Sequence, residues 1–222
     1  MPTYEQLGFG QGAALTGDRA RAVFGQVMGL VAFALGFAAL GAYIARDVQT
    51  GGFIFFIGAI VCIFGLQAAT ARGHEQLAIA LLFGLALLLG MFIAPIISYY
   101  VKYDPSVVWQ AAGATGLFTG VLGTFGYSTR RDLSPYVKPL LIAFGVVFVF
   151  GLIALFVSIP ASNIIYCVLM LVVFGGFTIF DFNRMANSGK YQSAVPIAAS
   201  IFLDIFNVFL LFLSLFGGGS RR

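Results

Sequence analysis

Apolar residues run through this chain in seven long blocks, at 22–44, 51–70, 77–99, 107–127, 137–158, 162–186 and 194–216. A helix that crosses a bilayer needs about 20 consecutive apolar residues, so each block predicts one transmembrane helix and the chain an all-α membrane protein with seven spans. The segments between them, 45–50, 71–76, 100–106, 128–136, 159–161 and 187–193, are short and hold most of the Gly, Pro and charged punctuation. Loops this short force sequential neighbours to run antiparallel. Residues 1–21 are expected to be a mobile N-terminal tail, 22–216 one seven-helix transmembrane domain, and 217–222 a C-terminal tail. The first block is longer than the core of a signal peptide, and no cleavable signal is evident.

Composition agrees. Hydrophobic residues make up 60% of the chain and charged ones 9%, with a mean hydropathy of +1.00. A soluble domain carries roughly 25% charged residues, so no polar surface is available here to clothe a water-soluble globule. The net charge of +4 does not point to nucleic acid, because the basic residues sit at the ends of apolar blocks instead of clustering on a polar face. They read as topology signals: Arg19, Arg21, Arg72, Arg130, Arg131, Lys138, Arg184 and Lys190 fall on one side, Arg46, Lys102, Arg221 and Arg222 on the other. That bias predicts a cytoplasmic N-terminus and an external C-terminus. Cys62 and Cys167 lie inside apolar blocks and are expected to be unbridged packing residues. His74, the only histidine, belongs in a loop.

Small residues recur at helical spacing. Gly113, Gly116, Gly120, Gly123 and Gly126 line one face of the fourth block, Gly25 and Gly29 repeat the pattern in the first, and Gly175 and Gly176 interrupt the sixth. All are expected to be packing seams, with Gly175–Gly176 also placed to act as a hinge before Asp181.

The candidate chemistry lies in the last two blocks. Asp181 and Asp204 are carboxyls at hydrocarbon depth, where a charge is costly and usually functional. The sixth and seventh helices form a hairpin centred near residue 190, which puts both at nearly the same depth, roughly 15–20 Å of helix from the midpoint. Ser200, Asp204 and Asn207 make a polar stripe on one helix and Thr178, Asp181 and Arg184 a similar one on the other. Two polar stripes on adjacent helices face each other, because each would otherwise meet lipid. Two carboxyls brought together in a low dielectric cannot both stay ionised cheaply, so they share a proton and titrate as a unit. Protonation would then select between two arrangements of the bundle; the alternative is a purely structural pair, or Asp181 held by Arg184 or Arg72. Arg72, at the end of the second block, either reaches inward to Asp181 or snorkels to the interface.

Several segments resemble one family in the same order: Gly90-Met-Phe-Ile-Ala-Pro95 with Ile96, Thr124-Phe-Gly-Tyr-Ser-Thr-Arg-Arg-Asp-Leu-Ser134, Phe180-Asp-Phe-Asn183 and Leu203-Asp-Ile-Phe-Asn-Val-Phe-Leu210. They are similar to the recurrent segments of the Bax inhibitor-1, or TMBIM, membrane proteins and their bacterial members, over about residues 20–217. The resemblance implies two three-helix layers around a central C-terminal helix, and a pH-sensitive calcium leak in the cell membrane. By the same resemblance Asp181 and Asp204 match the paired aspartates of the pH sensor, and Arg72 the arginine that engages the first of them. Where some relatives carry an acidic residue in the second span, this chain has only apolar or small residues around Ile60 and Val61. Calcium takes six to eight oxygen ligands, and two carboxylates with Asn207, Ser200 and backbone carbonyls offer only a transient, partly hydrated site. No resident cofactor is expected; calcium is the permeant ion.

Three other readings compete. An intramembrane aspartyl protease would also use two membrane aspartates, but Asp204 follows Ile-Phe-Leu instead of Gly-x-Gly, and Pro196 precedes Ile197 instead of Ala-Leu. A retinal protein needs a Schiff-base lysine in the last block, which contains none. A non-conducting regulator would meet a membrane protease or channel through aromatic faces, the chain holding 25 Phe. No enzymatic activity is expected.

Overall fold

The structure, a computed structural model, describes residues 9–48, 52–129, 131–157, 161–187 and 193–219. Among them are seven α-helices and no strand: α1 (Phe9–Ile44), α2 (Gly52–Ala71), α3 (Glu75–Tyr103), α4 (Pro105–Ser128), α5 (Val137–Phe156), α6 (Ser162–Ala186) and α7 (Val195–Gly219). A 3₁₀ turn at Ser134–Tyr136 leads into α5. Each apolar block has become one helix. α1 begins at Phe9, inside the expected tail, because Gln11, Ala13, Ala14 and Leu15 are strong helix formers that continue the helix outward beyond the apolar span Arg21–Ile44. Residues 1–8 and 220–222 lie outside the described residues.

Six of the helices are long and apolar enough to cross a membrane. The exception is α4, with 24 residues and ample length, whose glycines, threonines and Gln110 dilute its apolar content. The seven-span expectation therefore holds as seven helices, six of which carry the membrane signature by themselves.

Between α2 and α3 the chain reverses tightly. Gly73 adopts φ +77°, a left-handed conformation easy only for glycine, and lets the His74 amide donate to the Ala69 carbonyl at 2.9 Å. His74 is thus in a loop and exposed. Cys62 and Cys167 are unbridged.

α3 packs against α1 and α2, α6 against α4 and α5, and α7 against α4, α6, α1, α3 and α2. α3 and α7 are accordingly the most buried of the apolar helices, and α5 the least. The main core gathers Val27 and Val31 from α1, Leu82, Leu85 and Leu89 from α3, and Ile197, Ile201 and Phe202 from α7.

The glycine seams follow the spacing in part: Gly123, Gly126, Gly175 and Gly176 are packed, and five others are not. A Cβ on Gly25, Gly29, Gly113, Gly116 or Gly120 would meet nothing within 4 Å, so these face open space. The close crossings are at Gly41, where a Cβ would sit 2.1 Å from the Leu87 carbonyl oxygen, and at Gly90, 2.0 Å from that of Ala38. A second crossing joins α4 to α6, where a Cβ on Gly126 would lie 2.2 Å from the Ile179 carbonyl oxygen. Gly175 and Gly176 admit side chains of α4 and α5, Leu122 and Leu140 respectively. Glycine spacing marks a face on a helix, and the neighbouring helices decide which part of that face is covered.

Candidate functional site: a buried carboxyl pair between the last two helices

α6 and α7 bring Asp181 and Asp204 together. Both are deeply buried, at 3% and 6% exposure, and their carboxyl groups lie within hydrogen-bonding reach of one another. The half-buried Ser200 hydroxyl donates to Asp181 Oδ2. Asp181 lies five residues, about 7.5 Å, from the end of α6, and Asp204 nine residues, about 13.5 Å, from the start of α7. Counted from the helix ends, Asp181 is level with Ser200 and Asp204 lies about one turn further in, because Asp181 stands nine residues before residue 190 and Asp204 fourteen after it.

A hydrogen bond between two carboxyls requires a proton on one of them. Asp181 also accepts from the Ser200 hydroxyl, and the proton belongs to the pair as a whole. Two buried oxygens beside the pair, Asp204 Oδ2 and Thr178 Oγ1, have no hydrogen-bond partner among the described residues. Asn207 faces away from the carboxyls, its amide donating to the Leu203 carbonyl at 2.7 Å. It lines a cavity of about 280 Å³ shared with Asn163, Cys167 and Ser214. There the Ser214 hydroxyl donates to Asn163 Oδ1 at 3.2 Å. The polar stripe of α7 therefore runs on from Ser200 and Asn207 to Ser214, each seven residues apart, a continuation readable in the sequence and missed by stopping at Asn207.

Of the two candidate cations, Arg184 is the one whose positive charge reaches Asp181. Arg72 is exposed where α2 ends, its amide bonded to the Ala68 and Ala69 carbonyls, each at 3.2 Å. Among the described residues no third His, Cys, Asp or Glu joins the two carboxyls to complete a metal-binding cluster.

Asn183, two residues past Asp181, is a residue that the polar-stripe argument passes over. It is 2% exposed and ties the α4–α5 connection to α6. Its amide donates to the carbonyls of Gly126 at 3.3 Å, Thr129 at 2.8 Å and Arg131 at 3.1 Å, and its Oδ1 accepts from the Leu133 amide at 3.3 Å. Without Asn183 the Thr129 and Arg131 carbonyls would lose the donor that ties them to α6, while the Gly126 carbonyl still accepts from the Thr129 amide at 3.3 Å. The signal was a lone amide within an apolar helix, off the Asp181 face.

A sequence model of the family described as inhibitor of apoptosis-promoting Bax1 matches residues 20–221. A protein of Helicobacter pylori strain J99 is 31% identical over 186 residues, 83% of this chain and 80% of that protein. The Escherichia coli K12 protein described as modulator of FtsH protease YccA is 24% identical, covering 73% of this chain and 74% of its own. A vaccinia virus protein described as Golgi anti-apoptotic protein is 29% identical, with 74% and 68% covered. With its six apolar helices, and with relatives that include a membrane protein of Vibrio cholerae, this is an integral membrane protein. The descriptions of these relatives name a modulator and an anti-apoptotic protein, and none names a catalytic activity.

Proposed function

The chain belongs to the Bax inhibitor-1 family, and on that premise we propose that it is a pH-sensitive calcium leak channel gated by protonation of the Asp181–Asp204 pair. The observation that carries the reading is the pair itself: two carboxyls, 3% and 6% exposed, on facing helices with one hydroxyl donor between them. Such a pair is held together by a proton. When pH rises and the proton leaves, two like charges meet in a low dielectric, and the α6–α7 arrangement that depends on them is destabilised. The arrangement described here is thus the low-pH member of the two, its share falling as pH rises.

Calcium is the cargo. Deprotonation exposes both carboxylates, and the unpartnered Asp204 Oδ2 and Thr178 Oγ1 offer further oxygens to a partly hydrated ion. Ser200 extends these ligands along α7, and Asn207, one turn past Asp204, continues the polar line towards the next cavity. Few protein oxygens and no rigid cage suit passage better than retention. Arg184, and by resemblance Arg72, compete with the ion for Asp181. The bundle is read as two three-helix layers, α1–α3 and α4–α6, around α7, with α4 as the seventh span. The membrane is a bacterial cell membrane and the N-terminus cytoplasmic.

The test is calcium flux into liposomes holding the purified full-length protein, across pH, with Asp181→Asn and Asp204→Asn alongside. The parent should change its flux with pH, by at most about tenfold per pH unit if one proton is linked to the switch. Each Asn variant should carry flux that no longer follows pH. An unaltered pH response in both variants overturns the sensor; no calcium flux in the parent at any pH overturns the leak.

A second reading is favoured by one relative, the modulator of FtsH protease: this chain regulates a membrane protease without conducting. It predicts that the two Asn variants alter protease turnover of membrane substrates while liposomes stay tight.

A further inference from the structure

α1 and α4 stand side by side and hardly touch. Between them runs a cleft of about 1480 Å³, floored by α3 and by Ile205, Phe206 and Phe209 of α7. At one end the walls meet, through Phe24 of α1 and Tyr127 of α4, edge to face at 5.1 Å. From there the cleft extends to the last turn of α1 at Tyr43, where Arg46 and Lys102 line the mouth with Asp47 and Ser98. Phe24 and Arg46 are 22 residues apart, about 33 Å if the helical rise continues, close to the thickness of the hydrocarbon layer. Gly116 and Gly120 line the α4 wall, and a Cβ on either would meet nothing within 4 Å. On the same wall the Thr119 hydroxyl is buried with no partner among the described residues, the residue being 7% exposed.

A space of this size between two membrane helices is filled by something. Its walls are apolar, which excludes bulk water, and an empty cleft would forfeit dispersion contacts along its whole length. A partner helix, about 10 Å across, would have to lie between α1 and α4 from end to end, and the Phe24–Tyr127 contact holds the two walls too close for that. Acyl chains are thinner and can end where the rings meet. At the mouth Arg46 and Lys102 are both exposed and supply the cations that a phosphate needs. Arg46 also meets Asp47 at 3.4 Å through Nε, and its guanidinium lies 4.5 Å over the Tyr43 ring, which holds the charge at the mouth of the cleft. Lys102 sits 5.3 Å over the Tyr103 ring, at the depth where aromatic side chains mark the membrane interface.

We propose that the α1–α4 cleft is a phospholipid-binding site, with acyl chains lying along Gly116 and Gly120 and the phosphate held by Arg46 and Lys102. The lipid comes from the leaflet on the Arg46 side, where two cations line the mouth; at the other end the Phe24–Tyr127 contact narrows the cleft and Arg21 alone lines it. It completes the wall of the bundle that α1 and α4 leave open.

The site is tested by native mass spectrometry of the full chain, delipidated in detergent and titrated with dioleoylphosphatidylglycerol. Beside the parent stand two variants, Gly116→Leu/Gly120→Leu, which plugs the cleft where the backbone has room, and Arg46→Gln/Lys102→Gln, which removes the phosphate anchors. Val121→Leu, on the exposed outer face of α4, is the control. The parent and the control should retain one phospholipid that the plugged variant lacks, and the Gln variant should bind it roughly tenfold more weakly, as expected for two interfacial cations partly offset by Asp47. Equal lipid retention in parent and plugged protein overturns the proposal. So does a plugged variant that keeps its lipid while losing a co-purifying membrane protein, which would make the cleft a helix-docking groove. Should the plugged chain fail to fold, unchanged affinity in the Gln variant overturns it alone.

Discussion

At the scale of single residues the chain separates polar groups that act from polar groups that hold. Asp181 and Asp204 meet across a helix interface, where their proximity has consequences only if a proton moves. Asn183, on the same helix as Asp181, binds the last turn of α4 through Gly126 and the connection to α5 through Thr129, Arg131 and Leu133, and has no titratable group to offer. Replacing Asn183 by Ala should cost about 1–3 kcal/mol by removing the donor from the Thr129 and Arg131 carbonyls, measured by thermal or denaturant unfolding in detergent. It should also make the 129–133 segment more accessible to protease, and the same unfolding midpoint as the parent would remove Asn183 from this role. The carboxyls, Ser200 and the α7 stripe were legible in the sequence because a charge in an apolar block has no other explanation than a polar neighbour. Asn183 was not. Its partners are backbone atoms of a loop some 50 residues away, and no side-chain pattern announces a backbone carbonyl.

At the scale of elements α4 is the odd member. Its glycines reduce its apolar content, yet it lines the cleft opposite α1 from Val108 near Lys102 to Tyr127 near Phe24, running antiparallel alongside a helix that is itself a candidate span. A helix that follows a span from end to end crosses the membrane with it. Cysteines placed at Ser106 and Ser128 should therefore react with an impermeant thiol reagent from opposite faces of oriented vesicles; labelling of both from one face would make α4 a surface helix. The five glycines of this helix divide by their neighbours. Gly126→Ala sets a Cβ 2.2 Å from the Ile179 carbonyl oxygen, a backbone atom that cannot swing aside, and should destabilise by about 1–3 kcal/mol. Gly116→Ala enters open space and should be neutral or stabilising, by up to about 1 kcal/mol through helix propensity. Equal unfolding midpoints for the two would contradict the packing described here. Helix number and rough bounds followed from the sequence because length and hydropathy are local properties; which glycines are buried depended on where α1 and α6 lie, a tertiary fact that spacing does not contain.

At the scale of the whole molecule α7 touches α1, α2, α3, α4 and α6, so a change at Asp204 is felt by most of the bundle. The floor of the lipid cleft is α7, through Phe206, two residues past Asp204, and α6 adds Phe182, next to Asp181. The carboxyl pair and the cleft thus lie on either side of one aromatic layer. Orientation follows from the same counting that gave the helices. With α4 as a span the helix number is odd, and the two termini face opposite sides. Eight basic residues flank the helix ends on the side of Arg21, Arg72 and Arg184, against four on the side of Arg46 and Lys102. The richer side is expected to be cytoplasmic, since cations are retained there during insertion. The carboxyl pair, reached from the Arg184 end of α6, would then sense cytoplasmic pH, and the phosphate-binding mouth at Arg46 would face the outer leaflet. A reporter enzyme active only outside the cytoplasm, fused after Arg222, should be active, and one active only inside should be silent. The reverse pattern would turn the molecule over and make the pair a sensor of external pH, which flux across vesicles with unequal pH on the two sides distinguishes directly: gating should follow the pH of the face that carries Arg184 and ignore the other.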